Sequence, residues 1–137
     1  MRNLFFKLAL FIVILPAFAL AQNPTKWRLE SDAKGKPVKK DETFKVNLKA
    51  EVEPGWHLYA LDQPSGGPIA TTIKIAEGIP FAISGDINSP QPKFQADPNF
   101  IIDGKALDTK YFVDRAEFGI PLKAQADANA DDVAIDV

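Results

Sequence analysis

The segment from residue 44 to residue 52 constrains the fold more than any other. Phe44, Val46, Leu48, Ala50 and Val52 alternate without a break with Lys45, Asn47, Lys49 and Glu51. A period of two puts the five apolar side chains on one face and the polar ones on the other, which describes a half-buried strand of an antiparallel sheet. Such a strand needs neighbours, because its backbone donors and acceptors must be paired and its apolar face covered. The remaining chain must therefore supply more strands.

It contains several. Trp27 to Ser31 alternates apolar and polar residues and reads as a first short strand. Asp32 to Glu42 is polar, carries Gly35 and Pro37, and reads as a loop. Glu53-Pro54-Gly55 is a turn that ends the central strand, and Trp56 to Leu61 begins the next one. Asp62 to Ala70, with Pro64, Gly66, Gly67 and Pro68, is a loop. Thr71 to Ile75 is β-branched and alternating, Pro80 to Ser84 is a short strand candidate, and Tyr111 to Val113 and Ala116 to Leu122 are strands. Pro121 in the last of these points to an edge position or a bulge. Asp86 to Asp103 has prolines at 90, 92 and 98 and reads as a long irregular connection anchored by Phe94 or Phe100. No helical period is found after residue 21. Seven or eight short strands with turn signals between them predict an all-β, immunoglobulin-like antiparallel β-sandwich.

The two ends carry separate information. Arg2 and Lys7 precede an almost wholly apolar run from Leu8 to Leu20, and Ala19-Leu20-Ala21 offers small residues two positions apart. This is the pattern of a signal peptide over 1–21, with Ala17-Phe18-Ala19 as a second cleavage site. The alternative is a retained anchor, but a run of roughly 13 residues falls short of the ~20 needed to span a bilayer. Residues 22–137 then form one exported domain, periplasmic if the source is a bacterium. At the other end, Val133, Ile135 and Val137 alternate with Ala134 and Asp136 up to the last residue. That pattern reads either as a strand cut in mid-course, with C-terminal strands missing, or as a short final strand completing a sheet.

Composition narrows the function. The formal charge is −2 and becomes more negative once Arg2 and Lys7 are removed, so nucleic acid is not an expected partner. Lys26 to Lys49 carries eight basic residues, and Asp127 to Asp136 carries four aspartates and no basic residue. These segments are either solvated faces or an electrostatic docking surface. The chain has no cysteine, although disulfides are permitted in an exported protein, so its core alone must hold it. His57 is the only histidine, which excludes the common zinc sites, and no metal or cofactor is expected. Ser65 and Asp62 lie near His57 in sequence, but no nucleophile elbow supports a triad and no catalytic residue is assigned. Gly66-Gly67 lacks the Walker spacing, and Asp127 to Asp132 lacks the calcium-loop pattern. Trp56 and Tyr59, three apart, fall on opposite faces of a strand, so that one can enter the core while the other lines a surface groove.

The motif Gly55-Trp56-His57-Leu58-Tyr59-Ala60 with Gln63, followed by Gly67-Pro68 and Thr72-Ile73-Lys74-Ile75, resembles the N-terminal periplasmic domain of DsbD-type thiol:disulfide interchange proteins. Ala116 to Leu122 is similar, more weakly, to the strand that precedes that family's active-site hairpin. The resemblance implies a periplasmic immunoglobulin-like sandwich that takes electrons from a membrane-embedded domain of the same polypeptide. It implies delivery of those electrons to thioredoxin-fold partners, among them a disulfide isomerase and thioredoxins of cytochrome c maturation. The chemistry implied is attack of a thiolate on a disulfide through a mixed disulfide. The family places its two cysteines just after a strand matching Val133 to Val137, so the resemblance implies a chain cut before them and inactive by itself. It further implies Tyr59, with Trp56 and His57, as residues flanking the active site or the partner. Phe100 is the candidate aromatic of a cap loop around Asp97 to Phe100. The alternative is a cysteine-free exported β-sandwich that binds a partner protein through the same region.

Overall fold

The computed structural model describes residues 23–137. The signal peptide expected over 1–21 lies outside the described residues. In chain order the strands are β1 (Thr25–Ser31), β2 (Pro37–Val38), β3 (Thr43–Val52), β4 (Leu58–Tyr59), β5 (Lys74–Ile75), β6 (Phe81–Ile83), β7 (Lys93–Ile102), β8 (Lys105–Phe112), β9 (Arg115–Ala124), β10 (Ala128–Asn129) and β11 (Ile135–Asp136). The 3-10 turn Ala130–Asp132 is the sole helical element among the described residues. The protein is all-β with antiparallel pairing throughout, as its alternating segments predict.

A four-stranded sheet in the order β1-β3-β9-β6 faces a three-stranded sheet in the order β4-β8-β7. The apolar face of β3 is the one the alternation names: Val46, Leu48, Ala50 and Val52 are buried, and Phe44 is half-buried. Its neighbour β9 contributes Ala116, Phe118, Ile120, Leu122 and Ala124, with Leu48 opposite Phe118 and Val46 opposite Ile120. Phe112 of β8 meets Phe118 edge-on, ring centroids 5.6 Å apart at 81°, and this contact joins the two sheets. Ala60 and Ile73 complete that core from the three-stranded side. Each fully buried large side chain of this set stabilises the fold by about 1.5–3 kcal/mol.

A smaller apolar cluster of Val38, Phe81, Ala124 and Ala130 lies beneath the β2–β10 ladder. Here the basic and acidic segments meet. Asp127 accepts from the Lys40 amide and pairs with the Lys39 ammonium at 3.0 Å, and Asp131 accepts from the Gly35 amide. Those two contacts hold the Asp127 carboxyl below its usual range, the backbone amide of Lys40 first and then Lys39. Part of the charge asymmetry is thus satisfied within the molecule.

Three expectations are corrected. Asp86 to Asp103 is not an irregular connection, because its second half is the ten-residue strand β7, hairpinned to β8. Asp103 (φ 48°) and Gly104 (φ 75°) form a two-residue turn with left-handed backbone at both positions, the Asp-Gly turn that suits the twist of a hairpin. The strand from Trp56 and the strand over Thr71 to Ile75 each shrink to two residues, β4 and β5. Pro121 lies in β9, between β3 and β6, rather than at an edge. Its missing N–H faces the side on which its carbonyl accepts from Ser84, where β6 has just ended. The bond that proline forgoes is the reciprocal one to Ser84 O, at the point where the β6 ladder ends and before pairing resumes at Asn88, opposite Gly119.

Candidate functional site

The motif from Gly55 to Gln63 is held to β8 by an arrangement of turn, strand and side chain. Trp56 donates its amide to Glu53 O at 3.0 Å, closing a turn in which Gly55 has φ +84°. A residue with a Cβ is strained at that φ, which is why glycine follows the proline. The turn carries Trp56 out of the ladder and leaves it 45% exposed. Neither Trp56 nor Tyr59 therefore fills the core, and Leu58 and Ala60 do so instead.

β4 pairs with β8 at Leu58–Phe112 and Tyr59–Tyr111, and Ala60 donates to Lys110 O at 3.0 Å. Gln63 then extends the ladder with its side chain. Its Nε2 donates to Lys110 O at 2.6 Å, and its Oε1 accepts from Lys110 N at 3.1 Å. The amide group thus replaces the backbone of one more strand residue. Asp62 forms an ion pair with the Lys110 ammonium. Thr71 donates its hydroxyl to Tyr59 O at 2.7 Å and fixes the far side of β4.

Side chains alternate across the sheet, so one face of β4-β8-β7 collects Tyr59, Tyr111, Gln95, Asp97 and Thr109, of which Tyr111 and Thr109 are buried. The imidazole of His57 stacks on the Tyr111 ring with centroids 4.1 Å apart and planes at 18°. The Tyr111 hydroxyl donates to Gln95 Oε1 at 3.0 Å. Burial first, and then the charge of the neighbouring Asp97 carboxylate, push the Tyr59 phenol above its ordinary value. Asp97 also accepts from the Asn99 amide and from Asn99 Nδ2, both at 2.9 Å.

That last contact explains where Phe100 goes. The β7–β8 register runs to Asp97–Leu107 and resumes at Ile101–Ala106, so Pro98, Asn99 and Phe100 form a bulge with no partners on β8. Asp97, which begins this bulge and accepts from Asn99, lies close enough to Tyr59 to raise its phenol pKa, while Phe100 is half-buried within the bulge. His57, Tyr59 and the bulge bearing Phe100 therefore share one connected region, and Trp56 adjoins it in the chain. Beyond the bulge, Ile102 reaches the loop after β4, where a Cβ on Gly66 would lie 2.6 Å from Ile102 Cδ1.

Residue-level reading missed Tyr111, Gln95 and Asp97 as members of this region. Asp103-Gly104 between two alternating stretches was the available signal, because it predicts the hairpin that brings Gln95 and Asp97 beside Tyr111.

As chemistry, the region offers aromatic faces, one imidazole, one carboxamide and one carboxylate. Asp62 is paired with Lys110, and among the described residues no hydrogen bond joins His57 to Asp62 or Ser65. No group of three or more histidine, cysteine or acidic side chains among them is disposed to hold a metal ion. Two cavities lie on the four-stranded sheet. One of about 520 Å³ is bordered by Leu29, Ser31 and Val133, and one of about 790 Å³ by Lys49, Pro90 and Arg115. No protein-family model, curated protein or solved structure matches this chain.

Proposed function

We propose that this chain is the docking domain of an exported, DsbD-like thiol:disulfide interchange protein, and that the His57–Tyr59–Tyr111 face receives thioredoxin-fold partners. The observation that carries the reading is the joined set of His57, Tyr111, Gln95, Tyr59 and Asp97 on one sheet face. Trp56, 45% exposed, adds a large apolar side chain next to His57 in the chain. Aromatic side chains with satisfied polar groups around them are the usual composition of interface hot spots. The motif carrying the family resemblance, Gly55 to Gln63, supplies one half of this face.

In this reading the redox cysteines and the membrane-embedded electron donor lie outside these 137 residues, which contain no cysteine. The chain alone orients the partner, and the thiolate that attacks the partner disulfide comes from elsewhere in the system. The second reading, an exported cysteine-free module that binds a partner without electron transfer, is favoured by the same lack of cysteine.

The test is calorimetric titration of the purified chain with a periplasmic thioredoxin-fold oxidoreductase, with an exported protein of unrelated fold as control. Saturable binding to the thioredoxin fold alone is the expected result. Equal binding to both, or to the control only, favours the second reading. Reduction of the partner's disulfide by the chain itself contradicts both.

A further inference from the structure

We propose that the outer edge of β7 is a self-pairing surface, through which two copies of this chain join into one continuous antiparallel sheet. Among the described residues nothing pairs with that edge, and Lys93 to Ala96 are exposed.

The backbone directions follow from β8. Lys110 turns its N–H and C=O towards β4, where Ala60 and Gln63 bind them. Alternation therefore turns those of Thr109 and Tyr111 towards β7. Their partners Gln95 and Lys93 must face back, as does Asp97 opposite Leu107. Phe94 and Ala96 then direct their N–H and C=O groups outward. The next outward-facing positions are Pro92 and Pro98, which have no N–H to offer. The free edge is thus a short pairing window closed at both ends by proline.

The antiparallel register that satisfies this window best sets Gln95 opposite Gln95 of the other chain. Phe94 then faces Ala96 of the other chain, and Ala96 faces its Phe94. All four outward N–H groups find carbonyl partners, and the prolines fall opposite one another where no donor is required. Shifting by two residues in either direction keeps these N–H groups paired but sets a proline opposite Phe94 or Ala96, which leaves that residue's carbonyl without a donor and separates Lys93 from Asp97. The same register places Lys93 opposite Asp97 twice, so that each copy supplies both halves of a cross-strand ion pair. The interface is isologous and consumes the edge, so it closes as a two-fold dimer rather than growing into a fibre.

The other long free edge, β1, lacks this complementarity. Asp32 donates to Lys45 O and Pro24 O accepts from Glu53, so Thr25, Trp27, Leu29 and Ser31 face outward from β1. The register that pairs all four sets Arg28 against Arg28, a repulsive contact.

An edge contact of this size belongs to the weak class of interfaces, under about 1,200 Å². The experiment is sedimentation velocity together with amide NMR on the full chain across micromolar to millimolar concentration. The expected result is a dimer fraction that rises with concentration, with amide shifts concentrated at Phe94, Gln95 and Ala96. Ala96→Pro removes an outward N–H that β8 does not use, and should leave the chain monomeric with its His57–Tyr111 ring-current shifts intact. Lys93→Asp sets like charges opposite Asp97 and should weaken the dimer severalfold even where the proline variant fails to fold. A chain that stays monomeric at millimolar concentration, association mapped to other amides, or a dimer unaffected by Lys93→Asp overturns the proposal.

Discussion

His57 lies flat on Tyr111, ring centroids 4.1 Å apart, and Tyr111 in turn donates its hydroxyl to Gln95 of the neighbouring strand. A residue from the loop before β4 is thus coupled to β7 through one aromatic ring. Stacked aromatic pairs contribute about 0.5–1.5 kcal/mol beyond the area they bury. His57→Ala should lower stability by about that amount, while the Tyr111 hydroxyl keeps its partner. Denaturant unfolding of His57→Ala, Tyr111→Phe and the double variant checks this, because the two losses should add if the stack and the hydrogen bond act independently.

Gln63 acts as a strand residue made from a side chain. Gln63→Ala removes both of its bonds to Lys110 and leaves a half-buried N–H and C=O with fewer partners, at a cost of about 1–3 kcal/mol. Gln63→Glu keeps an acceptor for Lys110 N but sets a carboxylate against Lys110 O, so it should not rescue the loss. Hydrogen exchange at the Lys110 amide reads the effect directly, with faster exchange expected in Gln63→Ala.

Gly66 has φ +80°, and a Cβ there would sit 2.6 Å from Ile102 Cδ1. Two penalties are therefore expected in Gly66→Ala: backbone strain of roughly 1 kcal/mol or more, and a clash with the tip of the β7–β8 hairpin. Shortening Ile102 to Val relieves only the second. A double-mutant cycle of Gly66→Ala with Ile102→Val should give a favourable coupling, with a residual loss that belongs to φ.

Burial, followed by the Asp97 charge, raises the Tyr59 phenol above its ordinary value near 10. A raised pKa on an acid means that the folded state holds its proton where the unfolded state has begun to lose it. The stability contribution is therefore complete below the ordinary tyrosine range. It declines as pH rises from there through the folded value. Asp97→Asn should bring the Tyr59 transition part of the way down and leave the contribution of burial in place. Spectrophotometric titration of tyrosinate, with Tyr111→Phe to isolate Tyr59, checks both statements.

The parts of the fold legible in the sequence are those fixed by long alternation. The apolar faces of β3 and β9 follow from a period of two sustained over many residues, and the buried set from Val46 to Leu122 is the one that period names. β7 was illegible because its prolines sit where no N–H is needed: Pro98 in a bulge, and Pro92 just before the strand on the free edge. Counting prolines counts missing donors but not the directions they would have faced. Pro121 misleads differently, since it lies in the central strand β9 and forgoes one bond where the short strand β6 ends. For the site, Trp56, His57 and Tyr59 are contiguous and carry a motif. Gln95, Asp97 and Tyr111 join them only through strand register, which Asp103-Gly104 sets and residue types alone do not.

The central claim is that the His57–Tyr59–Tyr111 face is where a thioredoxin-fold partner docks. The most direct measurement is an NMR titration of the labelled chain with such a partner, following the Trp56 indole, the His57 and Tyr ring signals, and the amides of β4, β7 and β8. Saturable shifts confined to Trp56, His57, Tyr59, Gln95, Asp97 and Tyr111, abolished in Tyr59→Ala with the fold retained, are the predicted result. Saturable binding that moves signals only on the β1-β3-β9-β6 sheet, or no binding at millimolar partner, would contradict the account.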